Sequence, residues 1–268
     1  MEVLPELFAG VSTWSVLAVV ATVAGALLSL QVGRSKPRQG NERLATGFLV
    51  ELALVVTLAG WLCAKIAHVL FEAEGHVLDD GRVAGGVVDL LRDDPWHWAR
   101  LLEPGFVFYG GVVGAVVCGW WFVRVSPERA RLLAVCDIAV PGILVGVVVG
   151  RLGCLLGGCC YGAPSELPWA IHFPLAHATH GVGVHPVQLY DAAVAVIGLA
   201  LWLRFRRRLD DGVLFFALCA GYAVARFATE LVRADADRGS VGPLSTSQVI
   251  SIIVLAVLLV SWVRRRAR

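Results

Sequence analysis

Four polar or glycine-rich stretches interrupt an otherwise apolar sequence, and each contains residue types that could do chemistry. The first runs from Gly150 to Gly162 and includes Arg151, whose guanidinium group could hold a phosphate through two parallel hydrogen bonds. Glycines such as Gly153 would let a ligand approach the backbone closely. An arginine that merely reaches the membrane interface from a helix end is an equally good interpretation of Arg151.

The second stretch carries Tyr222, Arg226, Glu230 and Arg233, which are spaced by 4, 4 and 3 residues. This spacing places all four side chains on one face of a helix. A local ion pair between Arg226 and Glu230 would explain part of the pattern. Charged residues within a membrane span usually face a cavity or the bundle interior, however, so we favour a hydrated cavity for a lipid headgroup.

The third stretch begins at His185-Pro186 and continues through Gln188 and Tyr190 to Asp191. Proline suits the first turn of a helix, so we expect a span to start here. His185 could act as a base, bind a phosphate or ligate a metal, and it could equally well only hydrogen-bond a loop.

The fourth stretch surrounds Tyr109-Gly110-Gly111, near the start of a predicted span. Gly110 and Gly114 form a G-x-x-x-G pattern, which is typical of closely packed membrane helices. Helix packing would explain the glycines completely, but it does not explain Tyr109.

Three of the seven cysteines, Cys154, Cys159 and Cys160, lie together in the first stretch. Cys154 and Cys159 could form a disulfide, one thiol could accept a lipid, or the three thiols could bind zinc or copper with nearby histidines. Because the spacing matches no strong metal motif, we expect a structural disulfide or simple packing and assign no metal ligands.

The elements that must position these residues are predicted to be transmembrane helices. The sequence is 57% hydrophobic and only 16% charged, with a mean hydropathy of +0.73, well beyond the usual composition of soluble domains. A net charge of +2 gives no reason to expect nucleic-acid binding. The stretch from Val11 to Leu30 is expected to span the membrane rather than to be a cleaved signal peptide. We predict an all-α fold of about seven spans, near residues 9–31, 46–71, 105–124, 132–150, 187–205, 212–232 and 245–263.

Basic residues alternate between the connections and therefore predict the orientation. Fifteen lie in one set of loops and six in the other. The positive-inside rule places the N-terminus outside and the C-terminus in the cytoplasm. We predict a single transmembrane domain over 1–268, with an outer polar arm at 73–104 and an outer Gly/Cys/His-rich loop at 151–186 that carries the active site.

Taken together and in order, these stretches resemble the prolipoprotein diacylglyceryl transferase family. The resemblance runs from about residue 105 to 251 and rests on Tyr109-Gly110-Gly111, Asp137 with Pro141, Gly150-Arg151-x-Gly153, Pro168-Trp169, Phe173-Pro174, His185-Pro186-x-Gln188-Leu189-Tyr190, Tyr222 with Arg226-Phe227, Glu230 and Arg233, and Gln248 with Ser251.

The resemblance implies an enzyme of the bacterial inner membrane with its active site facing the outer leaflet. It would transfer the diacylglyceryl group of phosphatidylglycerol to a cysteine thiol of a prolipoprotein, without metal or cofactor. Tyr109, Arg151, His185 and Arg226 would be catalytic. The substrate-binding residues it implies are Gly110, Gly111, Gly153, Cys154, Cys159, Gln188, Tyr190, Tyr222, Glu230 and Arg233.

Two positions depart from the family pattern. Cys154 replaces an asparagine, and Cys159 replaces an acidic residue, so two thiols stand in place of an amide and a carboxylate. An alternative hypothesis is therefore a membrane protein without transferase activity that uses Cys154, Cys159 and Cys160 for redox or metal handling.

Overall fold

A computed structural model describes residues 6–8, 11–34, 44–67, 108–127, 132–234 and 240–266 of the chain. The predicted polar arm at 73–104 lies outside these residues. Within them the fold consists of seven α-helices: α1 (Thr13–Arg34), α2 (Thr46–Ala67), α3 (Phe108–Val125), α4 (Leu132–Gly157), α5 (Val187–Phe205), α6 (Val213–Thr229) and α7 (Thr246–Arg266).

The predicted all-α, polytopic membrane fold is confirmed. Six helices are long and apolar enough to cross a membrane, and a seventh apolar helical stretch, Gly110–Val125, is shorter. Three short antiparallel hairpins lie between or before helices: β1 (Glu6–Phe8) with β2 (Val11–Ser12), β3 (Ile171–His172) with β4 (Gly183–Val184), and β5 (Ser240–Val241) with β6 (Leu244–Ser245).

Helix α4 is longer than the predicted span. It continues past residue 150 to Gly157, so the loop predicted to start at 151 begins only at Gly158. Glycines at 150 and 153 do not end the helix, because glycine is well tolerated in membrane helices. Arg151 and Cys154 are therefore helical residues with fixed directions.

The chain forms two compact units, one of Met1–Asn41 with Leu133–Arg268 and one of Glu42–Leu132. In the second unit, α2 packs closely on α3 through the predicted small residues. A Cβ atom added to Gly110 would lie 2.8 Å from the Cys63 carbonyl oxygen, and one added to Gly114 would lie 2.8 Å from that of Ala59. The G-x-x-x-G packing predicted from the sequence is thus confirmed.

In the first unit, α4, α5 and α6 share an apolar core that contains Leu144, Ala195, Trp202 and Leu214. The side chains pack together along the three helices, and each helix also carries at least one polar residue of the site described below. The packing therefore fixes the relative positions of those polar residues.

A buried carboxylate on α4 holds the start of α6. Asp137 is 1% exposed, and its two oxygens accept hydrogen bonds from the backbone N–H groups of Gly212 (2.8 Å) and Phe215 (2.9 Å). These N–H groups belong to the first turn of α6, where helical partners are lacking and the helix dipole favours a negative charge. The backbone oxygen of Asp137 also accepts a hydrogen bond from Trp202 Nε1 on α5, at 3.1 Å. Asp137 thus joins all three helices.

Substitution of Asp137 by alanine should destabilise this unit, because two buried N–H groups would lose their acceptor. We expect a loss of about 1–3 kcal/mol of folding free energy, seen as a lower thermal unfolding midpoint in detergent micelles. Asp210→Ala, at an exposed position in the turn before α6, is the matched control. An Asp137→Ala variant as stable as the control would contradict this role.

Candidate functional site

The site is centred on Asp191, a carboxylate in the second turn of α5 that is 1% exposed. Its Oδ2 atom lies 2.9 Å from Nη2 of Arg151 on α4 and 4.0 Å from Nη1 of Arg226 on α6. Its Oδ1 atom accepts a hydrogen bond of 3.0 Å from the hydroxyl of Thr229. The two arginines singled out in the sequence therefore share one acidic partner.

Arg226 has further partners that fix its direction. Its Nη2 atom lies 2.5 Å from Oε2 of Glu230 and donates to Oγ of Ser247 on α7 at 3.2 Å. Its Nη1 atom donates to Oγ1 of Thr229, also at 3.2 Å. The Arg226 side chain is only 10% exposed, so these contacts hold a largely desolvated cation.

The other two residues of the predicted helix face join the same network in different ways. Tyr222 hydrogen-bonds the Arg151 side chain, one turn before Arg226. At Glu230 the α-helix passes into a 3-10 turn (Glu230–Val232), and Arg233 Nη1 lies 3.9 Å from Oε2 of Glu230. The predicted substrate-binding role of Tyr222 stays a prediction.

The network brings several guanidinium groups together. Among the described residues it contains those of Arg151, Arg226 and Arg233, with the carboxylates of Asp191 and Glu230. In a poorly hydrated setting, converging guanidinium groups attract an anion strongly, since the local dielectric is low.

Gln188 lies one turn before Asp191 on α5 and is completely buried. Its Nε2 atom donates a hydrogen bond of 2.6 Å to the carbonyl oxygen of Cys159. Its Oε1 atom has no hydrogen-bond partner within the described part of the chain. A buried amide oxygen without a donor is costly, so a ligand hydroxyl or a water is the natural partner at this position.

His185 lies in the connection that leads into α5. Its Nδ1 atom is 3.2 Å from the hydroxyl of Tyr190, which also accepts a hydrogen bond of 2.9 Å from Trp169 Nε1. The backbone oxygen of His185 accepts a hydrogen bond from the Gly162 N–H, and its own N–H donates one to the Ala163 oxygen. The described contacts of His185 thus hold the loop and Tyr190, and its predicted catalytic role stays a prediction.

The loop after α4 is attached to the end of α6. The Ala163 N–H donates to the Val232 oxygen at 2.7 Å, and Gly162 pairs with Arg233. A Cβ atom added to Gly162 would lie 2.5 Å from the His185 Cβ, so only glycine fits between these segments. This contact brings the cysteine segment next to the charged network.

Cys154, Cys159 and Cys160 are free thiols whose sulfur atoms all lie within 4.8 Å of one another. Of the two expected arrangements, a disulfide or simple packing, the disulfide is not formed among these three residues, which do lie together. Hydrogen bonds from the Cys154 and Cys159 thiols lower the pKa of the Cys160 thiol, and the positive charges of Arg233 and Arg151 lower it further.

Tyr109, Gly110 and Gly111 lie in the first turn of α3, in the unit Glu42–Leu132. A Cβ atom on Gly111 would lie 3.0 Å from the Gly60 carbonyl oxygen of α2, so this glycine is used for helix packing. The predicted substrate-binding role of the two glycines stays a prediction, as does the role of Tyr109.

Sequence reasoning did not assign a role to Asp191, Thr229 or Ser247. Asp191 had a detectable signal, because an isolated carboxylate inside a predicted span needs a cation or a polar cavity. Thr229 and Ser247 had no such signal, because serine and threonine are common in membrane helices, where their hydroxyl groups can hydrogen-bond a carbonyl oxygen of their own helix.

Replacing Asp191 by asparagine should destabilise the unit, because the Arg151 and Arg226 cations would lose their shared counter-charge. We expect a cost of about 3–5 kcal/mol, the usual consequence of removing one partner of a buried ion pair. Thermal unfolding in micelles would measure it, with Asp210→Asn as the control at an exposed position. Unchanged stability in Asp191→Asn would show that the carboxylate does not balance these cations.

Comparison with known proteins identifies the family of the chain. Residues 3–264 match the family model described as prolipoprotein diacylglyceryl transferase. Proteins named phosphatidylglycerol–prolipoprotein diacylglyceryl transferase are similar to this chain. The one from Gloeobacter violaceus is 30% identical, with 95% of this chain and 89% of the relative covered. The one from Clostridium tetani is 29% identical, with 95% of this chain and 94% of the relative covered. The one from Dehalococcoides mccartyi strain BAV1 is 31% identical, with 80% of this chain and 75% of the relative covered. Since the match spans nearly the whole sequence, the chain belongs to the prolipoprotein diacylglyceryl transferase family.

Proposed function

We propose that this protein transfers the diacylglyceryl group of phosphatidylglycerol to the thiol of a prolipoprotein cysteine. The observation that carries the proposal is the pair Arg151 and Arg226, which converge on Asp191. Two guanidinium groups at one point are suited to bind the phosphodiester of a phospholipid. Family membership supports the same assignment.

In the proposed reaction, the acceptor sulfur attacks the carbon of the diacylglyceryl group that is bonded to the phosphate oxygen. A C–S bond forms and that C–O bond breaks, so glycerol phosphate leaves with the electron pair. The thiol proton is released, to the leaving phosphate or to solvent. Negative charge on the phosphate grows during bond breaking, and fixed guanidinium groups stabilise it without reorganisation.

The neighbouring residues would orient these groups and the lipid. Tyr222 and Asp191 direct the Arg151 guanidinium, while Glu230 and Ser247 direct that of Arg226. The unpaired Gln188 Oε1 atom is suited to accept a hydrogen bond from a glycerol hydroxyl of the headgroup.

Tyr109 and His185 complete the proposal. Tyr109, at the start of α3, would position the acceptor cysteine, since a phenol with a pKa near 10 is a poor base at neutral pH. His185 would keep the loop and Tyr190 in place through its hydrogen bond. Neither assignment needs a metal or a cofactor.

The alternative of a membrane protein without transferase activity is not favoured. It explains the three thiols but gives no reason for the shared carboxylate between Arg151 and Arg226, or for the family match over residues 3–264.

The proposed location is a bacterial inner membrane, with the site facing the outer leaflet. The basic turn at 204–211 would then be cytoplasmic and the cysteine segment external. In a background with the native cysteines replaced by serine, a membrane-impermeant thiol reagent applied to intact spheroplasts should label an added cysteine at Glu166, an exposed loop residue. It should not label an added cysteine at Arg207. Labelling at position 207 and not at position 166 would show the opposite orientation and contradict the proposal.

The transfer reaction can be tested with purified protein, phosphatidylglycerol and a peptide that contains a lipoprotein cysteine. We expect a peptide whose mass is increased by a diacylglyceryl group and equimolar glycerol phosphate. Arg151→Ala and Arg226→Ala should each lower the rate about 100-fold or more, as expected for removing a transition-state cation.

Arg207→Ala is the matched control, because this exposed arginine lies outside the network. Tyr109→Phe in the same assay should raise the KM for the peptide more than it lowers kcat, if Tyr109 positions the acceptor. Failure of the wild type to modify the peptide would contradict the proposed function, and full activity of both arginine variants would contradict the site.

A further inference from the structure

The cysteine cluster at the end of α4 has a geometry that the proposed reaction does not use. Cys154 is buried on the last turns of α4, Cys160 is partly buried and Cys159 is exposed. The three sulfur atoms lie within 4.8 Å of one another. Simple packing does not account for the cluster, since packing cysteines are usually buried in apolar surroundings.

The backbone is bent sharply to bring these sulfur atoms together. Gly158 has a φ of 73° and Cys160 has a φ of 62°, a left-handed conformation that is unfavourable for a cysteine. The turn is held by a hydrogen bond of 3.0 Å from the Cys159 N–H to the Cys154 oxygen and by a contact of 2.7 Å between His177 Nε2 and the Gly158 oxygen. Such local strain often marks functional positions.

We propose that Cys154, Cys159 and Cys160 form a binding site for one zinc ion, with water as the fourth ligand. No bond is made to these thiols in the proposed transfer reaction, and the predicted substrate-binding role of Cys154 and Cys159 stays a prediction. Three protein ligands and one solvent ligand are a common form of tetrahedral zinc coordination.

The distances suit zinc. Zn–S bonds of about 2.3 Å in a tetrahedral site place the sulfur atoms roughly 3.8 Å apart. The observed separations are at most 4.8 Å, so the thiols need to approach by about 1 Å or less, within the reach of side-chain rotation. The exposed position of Cys159 gives the ion and its water a path from solvent.

The charge next to the cluster is compatible with zinc bound by thiolates. Three thiolates and one divalent ion have a net charge of −1, and a guanidinium group contacts the cluster. The Arg233 Nη2 atom lies 3.5 Å from Cys160 Sγ.

The test uses the full-length protein, reduced and metal-free, in detergent micelles without oxygen. After a thiol count confirms complete reduction, Co²⁺ is added as a spectroscopic substitute. We expect visible absorption bands typical of tetrahedral thiolate cobalt, saturating at one ion per chain. One equivalent of Zn²⁺ should abolish the bands, release protons and raise the thermal unfolding midpoint.

Cys159→Ser tests the site at its exposed position, where a change of fold is not expected, and should weaken Co²⁺ binding at least 10-fold. Cys154→Ser and Cys160→Ser should do the same. Cys118→Ser and Cys219→Ser, which change thiols outside the cluster, should bind Co²⁺ like the wild type.

Two results would overturn the proposal. One is a fully reduced wild type that shows no saturable thiolate–cobalt band. The other is a band that persists when all three cluster cysteines are replaced by alanine. The outcome is distinguishable from failure of the transfer reaction, because the readout is metal binding and needs neither lipid nor peptide.

Discussion

The arrangement of the site depends on one carboxylate, that of Asp191, between two guanidinium groups. Arg151 is on α4 and Arg226 is on α6, and without an anion between them their charges would repel strongly in a region with little water. Desolvating a carboxylate is itself expensive and is repaid only by close, well-directed cations. Asp191 therefore requires nearby cations, and its contacts with Arg151 and Arg226 fix how the polar faces of three helices meet.

The rest of the unit keeps that meeting point in place. Asp137 joins α4 to the start of α6 by accepting hydrogen bonds from two backbone N–H groups there. At the other end of α6, the loop after α4 is hydrogen-bonded to Val232. Helix α6 is thus attached to α4, or to its continuation, at both ends, and the Arg226 side chain has little freedom to move away from Asp191.

Hydropathy and residue spacing predicted much of this from the sequence. The helices lie near the predicted spans because a run of about 20 apolar residues is typically a helix that crosses the membrane. Arg151 and Arg226 could be singled out because membrane spans rarely contain cations. The end of α4 was predicted too early, because glycine signals a turn in water but not in a packed membrane helix. The contact of Tyr222 with Arg151 and that of Asp191 with Arg151 both join different helices. Residue spacing along a single helix does not show which side chains of another helix lie opposite.

The pair of guanidinium groups also bears on how the proposed reaction would favour its transition state. A phosphodiester headgroup has one negative charge in the ground state. As the C–O bond breaks, the leaving phosphate becomes a monoester whose second ionisation has a pKa near 6, so its charge rises toward −2. In the proposed reaction, Arg151 and Arg226 would therefore interact more strongly with the transition state than with the bound lipid. A difference of this kind accelerates the chemical step, whereas equally tight binding of both states would not.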